Sequence, residues 1–180
     1  MRILVTGGTG YIGATAVEVL LGQGFEVSIL DDCSMGHADT VPAGVRFVEG
    51  SLINAAQVAD ALTGCDAVMH FAGKSLVGES VEKPDLYQSV NVDGTRILLD
   101  QMRKQSITKI VFSSSAATYG EPKVVPILET AETSPTNPYG ATKLAIDHMI
   151  TEEAAKHGIS AASLRYFNVA GALKAERGWL

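Results

Sequence analysis

Cysteine is scarce in this 180-residue chain: Cys33 and Cys65 stand far apart, with no CxxC and no histidine at metal-ligand spacing. That excludes a disulfide framework and leaves no metal site to read from the sequence; the pair suits reduced thiols in a cytoplasmic protein. No apolar run reaches the roughly 18 residues a membrane span needs. Met1-Arg2 leads at once into Ile3-Leu4-Val5, without the apolar core and cleavage site of a signal peptide. Positive charge is short too: 14 Lys and Arg against 20 Asp and Glu leave a net charge of −6, which argues against nucleic acid or an anionic membrane as partner. Charged residues make up only 19% of a chain that is 46% hydrophobic, so a sizeable core in one domain is expected.

Short β-branched runs alternate with longer helical patterns. Strands are expected at Arg2–Thr6, Glu26–Leu30, Arg46–Glu49, Ala67–Phe71, Lys109–Ser113 and Ala161–Tyr166. Helices are expected at Tyr11–Leu21, Asn54–Leu62, Asp85–Lys104 and Tyr139–His157. The strands are apolar on both faces, as in a parallel sheet covered by helices. The alternation predicts an α/β domain of the doubly wound, Rossmann type, with its ligand at the edge where the βα loops emerge. Two connections, Phe71 to Pro84 and Ser114 to Asn137, are long enough to be functional, and both follow strands at that edge. Nothing after Asn168 reads as a closing element, and the chain is expected to lack a separate substrate domain.

Gly7, Gly10 and Gly13 punctuate a turn between the Ile3-Leu4-Val5 strand and a helix. Small residues there let the backbone approach a pyrophosphate, and the helix N-terminus supplies N–H donors and positive potential. Asp31 ends the second strand at the separation where a carboxylate accepts hydrogen bonds from an adenosine ribose and repels a 2′-phosphate. No arginine follows closely, so NAD is favoured over NADP. Tyr139 and Lys143, four residues apart on a helix opened by Pro138, share one face. An ammonium beside a phenol lowers the phenol pKa and makes it a general base. A second Tyr-x-x-x-Lys, Tyr119 to Lys123, contains Pro122 and reads as loop. The run Ser113-Ser114-Ser115 ends a strand. Lys74 reads either as a pyrophosphate partner or as an ordinary loop lysine, and Asn91 either as an inward amide or as a surface asparagine. His70 reads as a hydrogen-bonded residue at a strand end.

Taken together, TGGTGYIG at Thr6–Gly13, FAGKSLVGES at Phe71–Ser80, NVDGT at Asn91–Thr95, SSSAATYG at Ser113–Gly120, NPYGATK at Asn137–Lys143 and RYFNVAG at Arg165–Gly171 carry a resemblance. The chain resembles the extended short-chain dehydrogenase/reductases, and within them the UDP-glucose 4-epimerases. The resemblance implies a Tyr139 base, a Ser115 hydroxyl on the same sugar 4-hydroxyl, and Lys143 on the nicotinamide ribose. Hydride would leave C4 of a UDP-sugar for tightly held NAD and return to the other face, interconverting UDP-glucose and UDP-galactose. It also implies cofactor contacts at Tyr11, Ile12, Asp31, Asp32, Ser34, Gly36, Leu52, Phe71, Ala72, Gly73, Lys74, Asn91, Ser113 and Phe167, and a substrate-phosphate contact at Asn168.

The sequence departs from that pattern at Ser51, where the family usually has an adenine-contacting aspartate, and in length, since family members run on into a smaller nucleotide-sugar domain. The chain alone is therefore expected to be poorly active. Two alternatives stand beside epimerisation. A 4,6-dehydratase would carry an Asp-Glu pair where this chain has Ala116-Ala117; a silent NAD-binding module would keep the cofactor without the reaction. The resemblance further implies a homodimer formed through Asp85–Lys104 and Tyr139–His157.

Overall fold

A computed structural model describes residues 1–172; the expectation for the last residues of the chain lies outside them. Among the described residues six parallel strands form one sheet: β1 (Arg2–Thr6), β2 (Glu26–Asp31), β3 (Arg46–Glu49), β4 (Ala67–His70), β5 (Lys109–Ser115) and β6 (Ser160–Tyr166). Their order is β3-β2-β1-β4-β5-β6. The chain winds outward from β1 to β3, crosses back to β4, and winds the other way. The doubly wound topology read from the strand–helix alternation is the one found, and its switch point lies between β1 and β4.

Alternate side chains of β1 separate two cores, because successive residues of a strand face opposite ways. Leu4 joins Leu30, Val68, Ile110 and Phe112 under α2 (Ala55–Leu62), α5 (Gly94–Lys104) and α6 (Pro138–His157). Ile3 and Val5 join Val27 and Ile29 under α1 (Tyr11–Gly22), through its Val17. Each fully buried Leu, Ile or Phe contributes about 1.5–3 kcal/mol. At the far side β6 pairs with β5 over seven residues, Lys109↔Ser160 through Ser115↔Tyr166, while Ser160–Leu164 stay exposed.

The expected Asp85–Lys104 helix is broken into three pieces. α4 (Pro84–Tyr87) runs into a π-helical turn, Gln88–Asp93, and then into α5. The wider π turn is a feature that recurs at functional sites, and it carries Asn91. The long connection after β4 also contains α3 (Val77–Glu82), which is not among the helices expected from the sequence. Six residues with an internal glycine are too few to hold a helix alone. Tertiary bonds hold this one: the Tyr87 hydroxyl accepts from the Leu76 N–H and donates to the Leu76 carbonyl, and Ser80 Oγ accepts from the Tyr139 N–H.

Candidate active site

The C-terminal ends of β1 and β4 meet backbone to backbone. Gly7 has φ +72°, and a Cβ there would lie 2.6 Å from the Ala72 nitrogen. Gly13, in the first turn of α1, packs closer still: its Cβ would stand 2.0 Å from the Gly7 carbonyl oxygen. The absence of two side chains thus draws the turn after β1, the start of α1 and the loop after β4 into one cradle. Among the described residues no side chain caps α1. Its first amides, which have no intrahelical acceptor, belong to Tyr11, Ile12 and Gly13, all on the cavity wall.

The cavity over this cradle measures about 490 Å³. It gathers Gly7, Gly10, Tyr11, Ile12, Gly13, Asp31, Asp32, Ser34, Gly36, Ser51, Leu52, Phe71, Ala72, Gly73, Lys74, Ser113, Ser115, Tyr139, Lys143 and Phe167. Two residues singled out by sequence lie off its wall. Asn91 is buried behind it, and Asn168 is exposed beyond Phe167. The inward of the two readings of Asn91 is the correct one. Its amide accepts from the Lys74 N–H (2.7 Å) and donates to the Lys74 carbonyl (3.0 Å) and to Thr142 Oγ1 (3.1 Å). Sequence reasoning missed Met35, Ser75, Leu76, Glu79, Val90, Ser114, Tyr166 and Val169, which also line the cavity. Ser75, Ser114 and Tyr166 adjoin predicted residues; Leu76, Glu79 and Val90 needed the unforeseen α3 and π turn.

At the β2 end of the cavity, Asp31 receives the Thr9 N–H (3.0 Å) and the Cys33 N–H (2.9 Å), which aim its carboxylate into the cavity while leaving lone pairs free. Gln57 accepts the Ser51 N–H at 3.0 Å, so the backbone donor at the aberrant Ser51 is already taken. A grouping of uncapped helix amides, an oriented carboxylate and a side-chain-free cradle fits a dinucleotide.

The opposite end of the cavity is built on α6. Asn137 caps the helix by accepting the Gly140 N–H at 2.8 Å, and Pro138 opens its first turn. The Tyr139 N–H is held by Ser80 and its carbonyl by Thr142 Oγ1 (2.8 Å). Ser115 stands at the end of β5 and faces the same space. Lys143 is 6% exposed; its Nζ donates to the Ser113 carbonyl at 2.8 Å and lies 4.8 Å from the Phe112 ring centre. The other Tyr-x-x-x-Lys behaves as read: Tyr119 is buried in a 3₁₀ turn, hydrogen-bonded to Arg165, and Lys123 is exposed in loop.

One electrostatic expectation is corrected. Burial pushes the Tyr139 phenol above its ordinary value, and the Ser115 hydroxyl brings it only part of the way back. Lys143 does not make the phenol basic here. Its Nζ is committed to Ser113 and sits 5.8 Å from the Tyr139 ring centre. Burial instead lowers Lys143 itself to about 8, opposed by the charge of Asp147 one helical turn on. The sign of the consequence is clear. Between about pH 8 and pH 10.5 the unfolded lysine holds a proton that the folded one has lost, so this group's contribution to stability rises with pH across that window. Below pH 8 the buried ammonium costs of the order of 3 kcal/mol. Urea unfolding at intervals from pH 7 to 10, compared with Lys143→Met, tests this. The wild type should gain stability relative to Lys143→Met as pH rises; a constant difference overturns the assignment.

Residues 3–178 match the NAD dependent epimerase/dehydratase family. The chain is 54% identical over 172 residues to a UDP-glucose 4-epimerase of Corynebacterium glutamicum, covering 96% of this chain and 52% of that protein. It is 51% identical over 179 residues to a UDP-glucose 4-epimerase of Streptomyces lividans, covering 98% and 54%. Among solved structures, the Brucella ovis UDP-glucose 4-epimerase in complex with NAD superimposes with a TM-score of 0.92 at 42% identity, over 95% of this chain and 53% of that one. The chain spans about half the length of the curated relatives it matches. A match running over nearly every described residue, on a sheet whose switch point carries the glycine cradle, is decisive: the chain belongs to the NAD dependent epimerase/dehydratase family.

Proposed function

We propose that the chain is the NAD-binding half of a UDP-sugar 4-epimerase that interconverts UDP-glucose and UDP-galactose. The observation that carries this reading is the convergence of Ser115, Tyr139 and Lys143 on the same cavity as the glycine cradle and Asp31. Gly7, Gly10, Tyr11, Ile12 and Gly13 would hold the diphosphate of NAD, and Asp31, Asp32, Ser34, Gly36, Ser51 and Leu52 its adenosine. Phe71, Ala72, Gly73, Lys74, Ser113, Lys143 and Phe167 would hold the remainder, with Asn91 ordering the Lys74 loop from behind. When bound, NAD supplies the two-electron acceptor and donor that allow a sugar carbinol to be oxidised and reduced again.

The chain's own residues handle the proton. Tyr139 Oη takes it from the sugar hydroxyl, and Ser115 hydrogen-bonds that hydroxyl and orients it. Lys143, anchored on the Ser113 carbonyl, would hold the ribose of NAD, and its charge has a pH limit, because burial lowers it to about 8. Asn168, at the exposed strand exit, is assigned to substrate phosphate. Dehydration is the weaker reading, because Ala116 and Ala117, in the turn after Ser115, carry no acid or base. The face of α5 and α6, with a groove lined by Val92, Leu99, Ala145 and Met149, is read as a homodimer surface. Free Cys33 and Cys65 suit the cytoplasm.

Native mass spectrometry of the purified chain, followed by a UDP-galactose assay, tests the reading. NAD is expected to copurify at one per chain. Turnover by these 180 residues alone is expected far below the roughly 1–10³ s⁻¹ of ordinary enzymes. Failure to bind NAD overturns the function; turnover in the ordinary range overturns the claim that this is only the cofactor half.

A further inference from the structure

Behind the cradle lies a buried polar thread that none of the assigned roles uses. His70, 1% exposed, has Nδ1 at 2.7 Å from Thr6 Oγ1 and Nε2 at 2.9 Å from Thr95 Oγ1. The Thr95 end fixes the ring's protons, and the Thr6 end is compatible with the result. The Ala72 N–H donates to Thr6 Oγ1 at 3.3 Å, and the Thr6 hydroxyl keeps its own hydrogen available to Nδ1. At the other end, Thr95 Oγ1 lies 2.5 Å from the Asn91 carbonyl, which can only accept. The Thr95 hydrogen is committed there, so Thr95 must accept from an Nε2–H. That one constraint gives the neutral ring a single tautomer, with Nδ1 accepting from Thr6, and one direction of donation, from Ala72 through Thr6, His70 and Thr95 to Asn91.

The Asn91 carbonyl sits in the π turn, and its side chain continues the thread in two directions. One branch clamps Lys74 through both its N–H and its carbonyl; the other reaches Thr142, whose hydroxyl donates to the Tyr139 carbonyl. We propose that His70 is a positioning residue: as the neutral Nε2–H tautomer it ties the strand ends beneath the glycine cradle to the Asn91 turn, and so fixes the amide that orients both the Lys74 loop and the Tyr139 helix. The ring is suited to the task. Burial, with Lys143 nearby, lowers its pKa to about 3, and it stacks on Phe112 with centroids 5.5 Å apart. It neither charges nor turns in the physiological range. This assignment deepens the proposed NAD-binding function and rests on it for its purpose, although the thread itself can be tested without any cofactor.

The test has three arms on the purified chain. Nitrogen NMR of the wild type across roughly pH 6–9 should show His70 protonated at Nε2 alone throughout. A ring that titrates there, or carries its proton on Nδ1, overturns the proposal. Thr95→Val should shift the side-chain amide resonances of Asn91, and Thr95→Ser, which keeps the hydroxyl, should restore them. Unmoved Asn91 resonances in folded Thr95→Val overturn it as well. NAD affinity should fall about tenfold in Thr95→Val and recover in Thr95→Ser. If Thr95→Val does not fold, the wild-type ring still decides. If the wild type binds no NAD, the function is wrong, while the ring and amide signals still judge the thread.

Discussion

Under the proposed function, Tyr139→Phe is expected to lower kcat for UDP-galactose by about 10³-fold when this chain is joined to the remaining half of its 54% identical Corynebacterium glutamicum relative. The substitution deletes one hydroxyl and preserves the ring. The backbone at 139 is held by Ser80 and Thr142, neither of which touches that oxygen. Cofactor affinity should therefore change less than tenfold, so the loss falls on the chemical step. Stopped assays of UDP-galactose conversion, alongside NAD titration, separate the two. Equal losses in kcat and in NAD affinity would reduce Tyr139 to a packing residue and remove the centre of the proposed mechanism.

Gly13→Ala is expected to cost the cradle itself. Its new methyl would lie 2.0 Å from the Gly7 oxygen, 2.7 Å from the Gly7 carbonyl carbon and 2.9 Å from Gly8 Cα. All three are backbone atoms, so no side chain can swing aside. The turn must open or α1 must back away, with a loss of about 1–3 kcal/mol and an NAD affinity lower by about 10²-fold, equivalent to roughly 3 kcal/mol. Gly22, at the far end of the same helix, is the control, because a Cβ there meets nothing within 4 Å. Gly22→Ala should raise stability by about 0.5–1 kcal/mol and leave NAD binding alone. Thermal melts and calorimetric titration of the two variants check the contrast. Indifference of Gly13→Ala would mean that α1 does not need its close approach to the turn.

The sheet was legible because each strand is a short apolar run between turn residues, and such runs have few other ways to satisfy both burial and backbone hydrogen bonding. The cradle was legible because its glycines stand at fixed offsets from β1. What escaped was set by contacts distant in sequence. Nothing in QSVNVD distinguishes a π turn from an α-helix, since the register shift lives in the backbone ladder and leaves the apolar spacing nearly unchanged. α3 was invisible for the reverse reason: VGESVE is a poor helix, and it exists because Tyr87 and Tyr139 hold it. The polarity of the Tyr139–Lys143 pair misled through geometry. Four residues on a helix place two side chains on one face, yet the lysine found a carbonyl on β5 before it found the phenol.

β6 gives up its inward-facing amides to β5 over the full length of the strand, and among the described residues no neighbour takes those on its other side. Its Ser160, Ala161, Ala162 and Ser163 are small and bear no charge, so they do nothing to repel a visiting strand. An uncharged rim of this kind is the sort of edge at which strand-to-strand aggregation is expected. A lysine placed on it, as in Ala162→Lys, is the natural deterrent for anyone who needs the isolated polypeptide to stay in solution.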